Sequence, residues 1–386
     1  MRRIAIFTAT RAEYGLLRPV LFKLRESISC DIELIVSGTH LSDIHGYTLS
    51  EIENDGFTAS ATIPLDLSED SPKHLSAALG IVCSGVGQAL TSLTPDILVL
   101  LGDRYECLGA AAAATLANTP IAHIHGGDIT EGAIDDCLRH AITKMSHLHF
   151  PSCEEYRQRI IQMGEQPNTV WNVGALGVEN ARKLALMDET HLRKSLKLQQ
   201  NEPFFLCTFH PVTLESGNEK NQMAALFKAL VRFESHRIIF TGANADPGGT
   251  SINSMLREFA SHNEQMDLYP SLGVHLYLSA AKYASCVVGN SSSGIVEIPS
   301  LGTPVVNIGN RQKGRVASKA VINCAAHDDE IYKALLKAQS HEHRKIAVSA
   351  DNPYEGVDTS KSISEIILTH TNHNMLNKKF FTVPSK

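Results

Sequence analysis

The chain has 386 residues, 43% of them hydrophobic and 20% charged, with a formal net charge of -6. That composition describes a globular protein with material for two cores, and it argues against long disorder, a nucleic-acid partner and a basic membrane-binding face. Eight cysteines lie far apart without a Cys-x-x-Cys pair, so reduced thiols in a cytoplasm are expected rather than a zinc knuckle or a disulfide frame.

Short β-branched runs alternate with helical patterns, which predicts parallel sheets covered by helices. The first run, RIAIF (3–7), is too short for a signal-peptide core, and no other run approaches the roughly 20 apolar residues of a membrane span. It leads into TATRAEYG (8–15), a helix start whose free N–H groups and Arg11 could hold an anion; without GxGxxG, a dinucleotide is disfavoured. After IELIV (32–36), the strand DILVLLGD (96–103) delivers Asp103 and Arg104 at its end, where side chains are held rigidly; the alternative is that Asp103 only caps the next helix.

PIAHIH (120–125) opens the most highly charged stretch, HIHGGDITEGAIDDCLRH (123–140). Ile134, Leu138, Ala141, Met145 and Leu148 recur at helical spacing and predict a core face, leaving Asp135, Asp136, Arg139 and His140 off it. Asp135 with Arg139, and Asp136 with His140, are four apart and able to touch. An acid in the first helical turn beside an arginine stays ionised and suits a proton acceptor, while His123, His125, Asp128 and Glu131 are candidates for its partner. The bland reading is a capped helix with solvated ion pairs. HIH (123–125) and HLH (147–149) also have metal-ligand spacing, but the second is read as helical, so a metal centre is not expected.

The chain divides near Trp171 to Leu176, giving domains over 1–172 and 173–352 and a returning C-terminal segment over 353–386. In the second half, FFLCTF (204–209) ends at His210 within FHPVT. RIIFTG (237–242) precedes a long turn containing Asn244, and VHLYL (274–278) is read as the next strand. CVVGN (286–290) then opens into GNSSSGIVE, where N–H groups and the hydroxyls of Ser291, Ser292 and Ser293 could surround a diphosphate beside Gly289 and Asn290, with Glu297 for a ribose. PVVNIG (304–309) leads to Arg311. SKSISEIILTH reads as a last helix, and the tail after His373 as frayed.

In order along nearly the whole chain, TRAEYG, SGTHLSDIHG, GDRYE, HIHGGDITEGAIDD with RHAITKMSHLHF, FHPVT, GNSSSGIVE and GTPVVNIGNRQKGR resemble the hydrolysing UDP-N-acetylglucosamine 2-epimerases of sialic-acid synthesis. The resemblance implies two Rossmann-like domains of GT-B-like architecture, with the last helix crossing back to the first domain. It also implies a reaction without nicotinamide or metal: UDP leaves C1 as the C2 proton is removed, and water adds to 2-acetamidoglucal to give N-acetylmannosamine. By position, Asp103, Asp135 and a carboxylate near Gly126-Gly127 would handle protons, with Arg104 and Arg139 orienting them and His210 facing the sugar. Ser291, Ser292, Glu297 and Arg311 would bind the nucleotide, with Arg11 on a phosphate. A homodimer or homotetramer is implied, with a UDP-sugar as the small-molecule partner.

One departure stands out. The family pattern HIEGGE has an acid before the glycines, where this chain has His125 and carries Asp128 after them. Proton work could move to His125, Asp128 or Glu131, or the substrate could be the 4-acetamido-6-deoxy sugar nucleotide of legionaminic-acid routes. A non-hydrolysing epimerase, a glycosyltransferase and a non-catalytic nucleotide-sugar sensor are the rivals; the crowd of acids at 128–136 speaks against a pure anion binder.

Overall fold

The computed structural model describes residues 1–43, 46–215, 217–243, 248–370 and 375–383. Asn244 therefore lies outside the described residues. Two compact units emerge: Met1–Asp128, Asp135–Glu179 and Gly356–Lys386 form the first, Ile129–Ile134 and Asn180–Glu355 the second. The expected break at 172/173 falls instead inside a helix, after Glu179. The short segment Ile129–Ile134 belongs to the second unit although its flanks belong to the first, because its contacts are made there.

The first unit runs β1 (Arg2–Thr8), α1 (Arg11–Arg25), β2 (Cys30–Ser37), α2 (Leu49–Asn54), β3 (Ala59–Ile63), α3 (Pro72–Leu93), β4 (Ile97–Leu101), α4 (Tyr105–Leu116), β5 (Ile121–Ile124), α5 (Asp135–Met145), β6 (Leu148–Phe150), α6 (Glu154–Gln162) and the start of α7 (Leu176–Lys183). Its sheet has the order β3-β2-β1-β4-β5-β6. All pairs are parallel, with Ile4 beside both Ile32 and Ile97. β4 and β5 are fully buried, and β4 accordingly reads as a continuous apolar run.

The second unit continues with α8 (Glu189–Ser195), β7 (Phe204–Thr208), α9 (Glu219–Leu230), β8 (Arg237–Thr241), α10 (Gly249–Ser261), β9 (Met266–Tyr269), α11 (Gly273–Tyr283), β10 (Cys286–Gly289), α12 (Ser292–Val296), β11 (Val305–Ile308), β12 (Val321–Cys324), α13 (Asp328–Gln339) and α14 (His341–Ser349). Its order, β12-β11-β10-β7-β8-β9, is the same topology again. In each unit the strand order reverses between the first and fourth strands, β1 and β4 or β7 and β10, and ligands of doubly wound sheets bind at the carboxyl end of that reversal. The fold class is the expected one, two Rossmann-like α/β units of GT-B-like type. The last helix, α15 (Thr359–Thr369), is part of the first unit, where Ile363 and Ile367 join the core of α1.

Four expectations are corrected. VHLYL is not a strand but lies in α11; its alternation is too short to exclude a helix, and β9 at Met266–Tyr269 fills the sheet position. His149 of HLH sits in β6, paired with His123 of β5, rather than on a helix. α3 has the length and apolarity of a membrane span, diluted to the eye by Gly, Ser and Thr; it packs on α4 through Val82, Val86, Ala89 and Leu90. In the tail, the described residues 375–383 are pinned rather than frayed: Lys378 Nζ donates to the carbonyls of Lys144 and Ser146 at 2.7 and 2.6 Å, and Phe381 N–H to Gly164 O at 2.8 Å.

Candidate active site

In the first unit, β4 ends in Gly102, whose positive φ of 84° turns the chain and presents Asp103. Asp103 does not cap α4; the cap residue is Arg104, which makes no side-chain cap bond. Instead Asp103 accepts a charged hydrogen bond from Arg139 of α5. Arg139 is only 2% exposed, and its second amino group donates to the backbone carbonyl of Asp128 at 2.8 Å. Burial lowers its pKa, but Asp103, Asp128 and Asp135 more than offset that, so the guanidinium stays charged in the interior. One buried cation thus ties Asp103 at the end of β4 to the main chain of Asp128 beyond β5.

The expected apolar face of α5 is rotated. Ile134 is 42% exposed, whereas Arg139, Ile142 and Thr143 are buried. The helix turns its arginine inward because two acids wait there. Asp136 faces His140 at 3.6 Å and Arg139 at 3.6 Å.

Asp128 is buried and accepts from Ser152 Oγ at 3.0 Å. His125 adopts φ of 63°, a left-handed conformation uncommon for a side-chain-bearing residue, and its Nε2 accepts the Leu176 N–H at 3.4 Å. That bond orients the ring and leaves Nδ1 as the protonated nitrogen of its neutral form. His123 is a structural cross-link: Nε2 donates to Gly102 O at 2.8 Å and Nδ1 faces Thr143 Oγ1 at 3.2 Å. Burial drives its pKa down to about 3, so it stays neutral. The Gly-Gly pair follows from this packing. A Cβ on Gly126 would stand 2.8 Å from both His123 Nδ1 and Thr143 Oγ1, and one on Gly127 would stand 2.7 Å from Tyr156 O.

At the neighbouring end of β1, the N–H groups of Ala9, Thr10 and Glu13 are engaged. Thr10 and Glu13 form a capping box: Glu13 Oε2 accepts from Ala9 and Thr10 N–H at 2.8 and 3.2 Å, and Thr10 Oγ1 accepts from Glu13 N–H at 3.3 Å. Glu13 is buried and its Oε1 has no hydrogen-bond partner among the described residues. Burial, partly offset by Arg104, raises its pKa to about 7. Arg104 forks onto buried Glu106 at 3.1 and 3.2 Å. Arg11 pairs with Glu51 at 2.9 Å and is partly exposed.

In the second unit, His210 follows β7 and is buried. Asn290, after β10, is fully buried and does not present its side chain to solvent: its Oδ1 accepts His210 N–H at 2.7 Å and its Nδ2 donates to His210 O at 2.8 Å. Gly289, at φ of 136°, lies so close to the Thr208 carbonyl that no Cβ could fit. Both residues thus serve the junction of β7 and β10. Arg311 Nη1 and Gln312 Nε2 both donate to Asn290 O, at 3.2 and 2.9 Å. Ser293 is bonded to Tyr277 OH at 2.6 Å, whose pKa burial pushes up to about 12, while Ser292 is exposed and Ser291 is the N-cap residue of α12 without a side-chain cap bond. Burial raises Glu297 to about 7. Glu131 pairs with Lys313 at 3.2 Å, and its N–H donates to Lys313 O at 3.1 Å.

The sequence model described as UDP-N-acetylglucosamine 2-epimerase matches residues 23–368. The chain belongs to that family. Among epimerase-family relatives, it is 38% identical to "GDP/UDP-N,N'-diacetylbacillosamine 2-epimerase (hydrolyzing)" of Campylobacter jejuni, over 89% of this chain and 89% of the relative. It is 37% identical to "Polysialic acid biosynthesis protein P7" of Escherichia coli, over 92% and 90%. In fold it matches the crystal structure of the UDP-GlcNAc 2-epimerase of Neisseria meningitidis bound to UDP-GlcNAc, with a TM-score of 0.80 at 17% identity, over 95% of this chain and all of that one.

Sequence reasoning passed over several residues of this epimerase-family chain that the geometry brings to the strand ends: Glu13, Glu106, Thr143, Ser152 and Gln312. Glu13 carried a signal, the Thr-x-x-Glu spacing of a capping box before an apolar helix. The others are single polar residues whose partners come from distant segments.

Proposed function

We propose that the chain is a hydrolysing nucleotide-sugar 2-epimerase. A UDP-linked 2-acetamido sugar loses its C2 proton to a protein base while the C1–O bond to UDP breaks, leaving a C1=C2 double bond. Water then returns OH to C1 and a proton to C2 from the other face, releasing the 2-epimeric free sugar and UDP. Within the family, the observation that carries this reading is the buried Arg139 that holds Asp103 and the backbone of Asp128 together. Arg139 holds Asp103 aimed, as a C2 base requires, while Asp128 and Asp135 are the further carboxylates for the hydration step. His210, Ser291, Ser292, Glu297 and Arg311 are the corresponding candidates toward the sugar and the diphosphate in the second unit.

For the sugar, we place UDP-N,N'-diacetylbacillosamine first and UDP-N-acetylglucosamine second, reversing the order that the motifs alone suggested. The name of the Campylobacter jejuni relative supports the first choice, together with His125 at the position of the family acid. The name of the Escherichia coli relative supports the second.

The test is to offer each nucleotide sugar alone in deuterated water and follow free UDP and C2 deuterium by NMR. The reading expects UDP release with deuterium at C2 of the freed sugar, faster from the diacetamido donor. Faster release from UDP-N-acetylglucosamine inverts the substrate order. UDP kept on the epimerised sugar makes the enzyme non-hydrolysing, and no reaction without an acceptor makes it a transferase. Asp103→Asn should lower kcat by about 10²- to 10⁴-fold while UDP still binds; unchanged turnover would remove Asp103 from the mechanism.

A further inference from the structure

The segment Gly-Asn-Ser-Ser-Ser reads in sequence as a phosphate loop, but its first two residues are used differently. Thr208 and Gly289 are paired in register on β7 and β10, and just beyond them the two strands would separate. There the Asn290 carboxamide closes a ring with the His210 backbone, one bond in each direction, as a peptide group on a neighbouring strand would do. Both soft dihedrals flanking the His210 Cα are thereby held, and the direction of its imidazole follows from them.

The main chain of Asn290, which carries that carboxamide, is itself held on both sides. Asn290 N–H donates to Thr208 O at 3.2 Å, and its carbonyl takes the amide of Gln312 and the guanidinium of Arg311. Gln312 is 3% exposed, so its bond runs through the interior rather than water. Only asparagine has the required shape: aspartate lacks the donor for His210 O, and glutamine would overshoot by one methylene. Gly289 supplies the close approach that makes the reach possible.

We propose that Asn290 is a positioning residue that acts through His210, braced by Gln312, and that it contributes to the chemical step rather than to holding the nucleotide. The proposal rests on the reading that His210 works at the sugar.

The experiment compares Asn290→Asp and Gln312→Met in the wild-type and His210→Asn backgrounds, measuring kcat, KM, UDP affinity by calorimetry and the His210 imidazole signals by NMR. Asn290→Asp keeps the acceptor for His210 N–H and loses the donor. It is expected to lower kcat by about 10- to 100-fold with UDP affinity within about twofold, and to shift the His210 ring signals. Gln312→Met should do the same more weakly. In the His210→Asn background, neither change should lower the residual rate by more than about twofold, because the group they position is gone.

Equal losses in both backgrounds, or lost UDP affinity at unchanged kcat, would overturn the positioning role. Full activity of His210→Asn itself, with Asp103→Asn inactive, would instead overturn the role of His210. A loss of folding by Asn290→Asp would show as lost UDP binding and a lower melting temperature, and Gln312→Met then decides the matter alone.

Discussion

Arg139 and Glu13 show how much one buried charged group depends on its partners. Arg139 is buried with acids around it and stays a cation; Glu13 is buried beside Arg104, which Glu106 already occupies, and its carboxyl drifts up to about 7. The consequence for stability has a definite sign. An unfolded glutamate near its ordinary 4.5 ionises first, so the folded state binds more protons between about pH 4.5 and 7, and stability falls as pH rises through that window. The loss attributable to Glu13 is about 3 kcal/mol by pH 8. Glu13→Gln, uncharged like the protonated acid, should come closest to the wild type in stability at pH 4.5 and gain on it by about that amount at pH 8, in urea unfolding at both pH values. A constant difference across the range would show that Glu13 is ionised in the fold.

At the scale of elements, the segment Ile129–Ile134 is the unusual one. Its ends are Asp128 and Asp135, residues of the first unit, but its own bonds are to the second: Leu214 N–H to Gly132 O at 3.4 Å, Ile134 N–H to Thr213 Oγ1 at 3.0 Å, and Arg315 Nε to Ile129 O at 3.3 Å. Gly132 lies against the Asn310 carbonyl so closely that a Cβ would stand 2.5 Å from its oxygen. Gly132→Ala must therefore push the segment off, and the shift is transmitted along the chain to both flanking acids. We expect kcat/KM to fall by about 10²-fold, as for a misplacement of about 1 Å, with a stability loss of about 1–3 kcal/mol. Steady-state kinetics beside thermal unfolding checks this, and a large stability loss at unchanged kcat/KM would sever the segment from catalysis.

At the scale of the molecule, two sheets of one topology are each built around a reversal between their first and fourth strands, and Asp103, His210 and Asn290 follow strands that flank those reversals. The first unit is completed by the far end of the chain. Lys378 reaches Glu165, which is 3% exposed and also bonded to Lys144 and His149. Burial would raise the Glu165 pKa, but those partners more than offset it and bring it to about 2. That carboxylate stabilises the fold fully above its unfolded value near 4.5, and its contribution disappears as pH falls toward 2. Removing residues 371–386 should cost about 1–3 kcal/mol in urea unfolding at pH 7 through the lost charged bonds. Lys378→Met should reproduce most of it; a truncated chain as stable as the full one would show that the tail bonds add nothing.

The sequence alone determined the fold class, most strand positions and the family, because fully buried strands, turn glycines and strand-end motifs are local patterns fixed by backbone period and burial. It placed Asp103 and His210 just beyond strands, and Arg139 one turn into a helix, correctly as positions. Only the tertiary structure decided which way they face. Helical spacing made Ile134 a core residue and Arg139 a surface one, yet a buried arginine is stable where acids from β4 and β5 converge, and no period records that convergence. Asn290 likewise read as a ligand group until the approach of β10 to β7 turned its amide onto His210. Periodicity sees one element at a time, whereas a buried polar group is placed by partners far away in the chain, and pairing there outweighs local pattern.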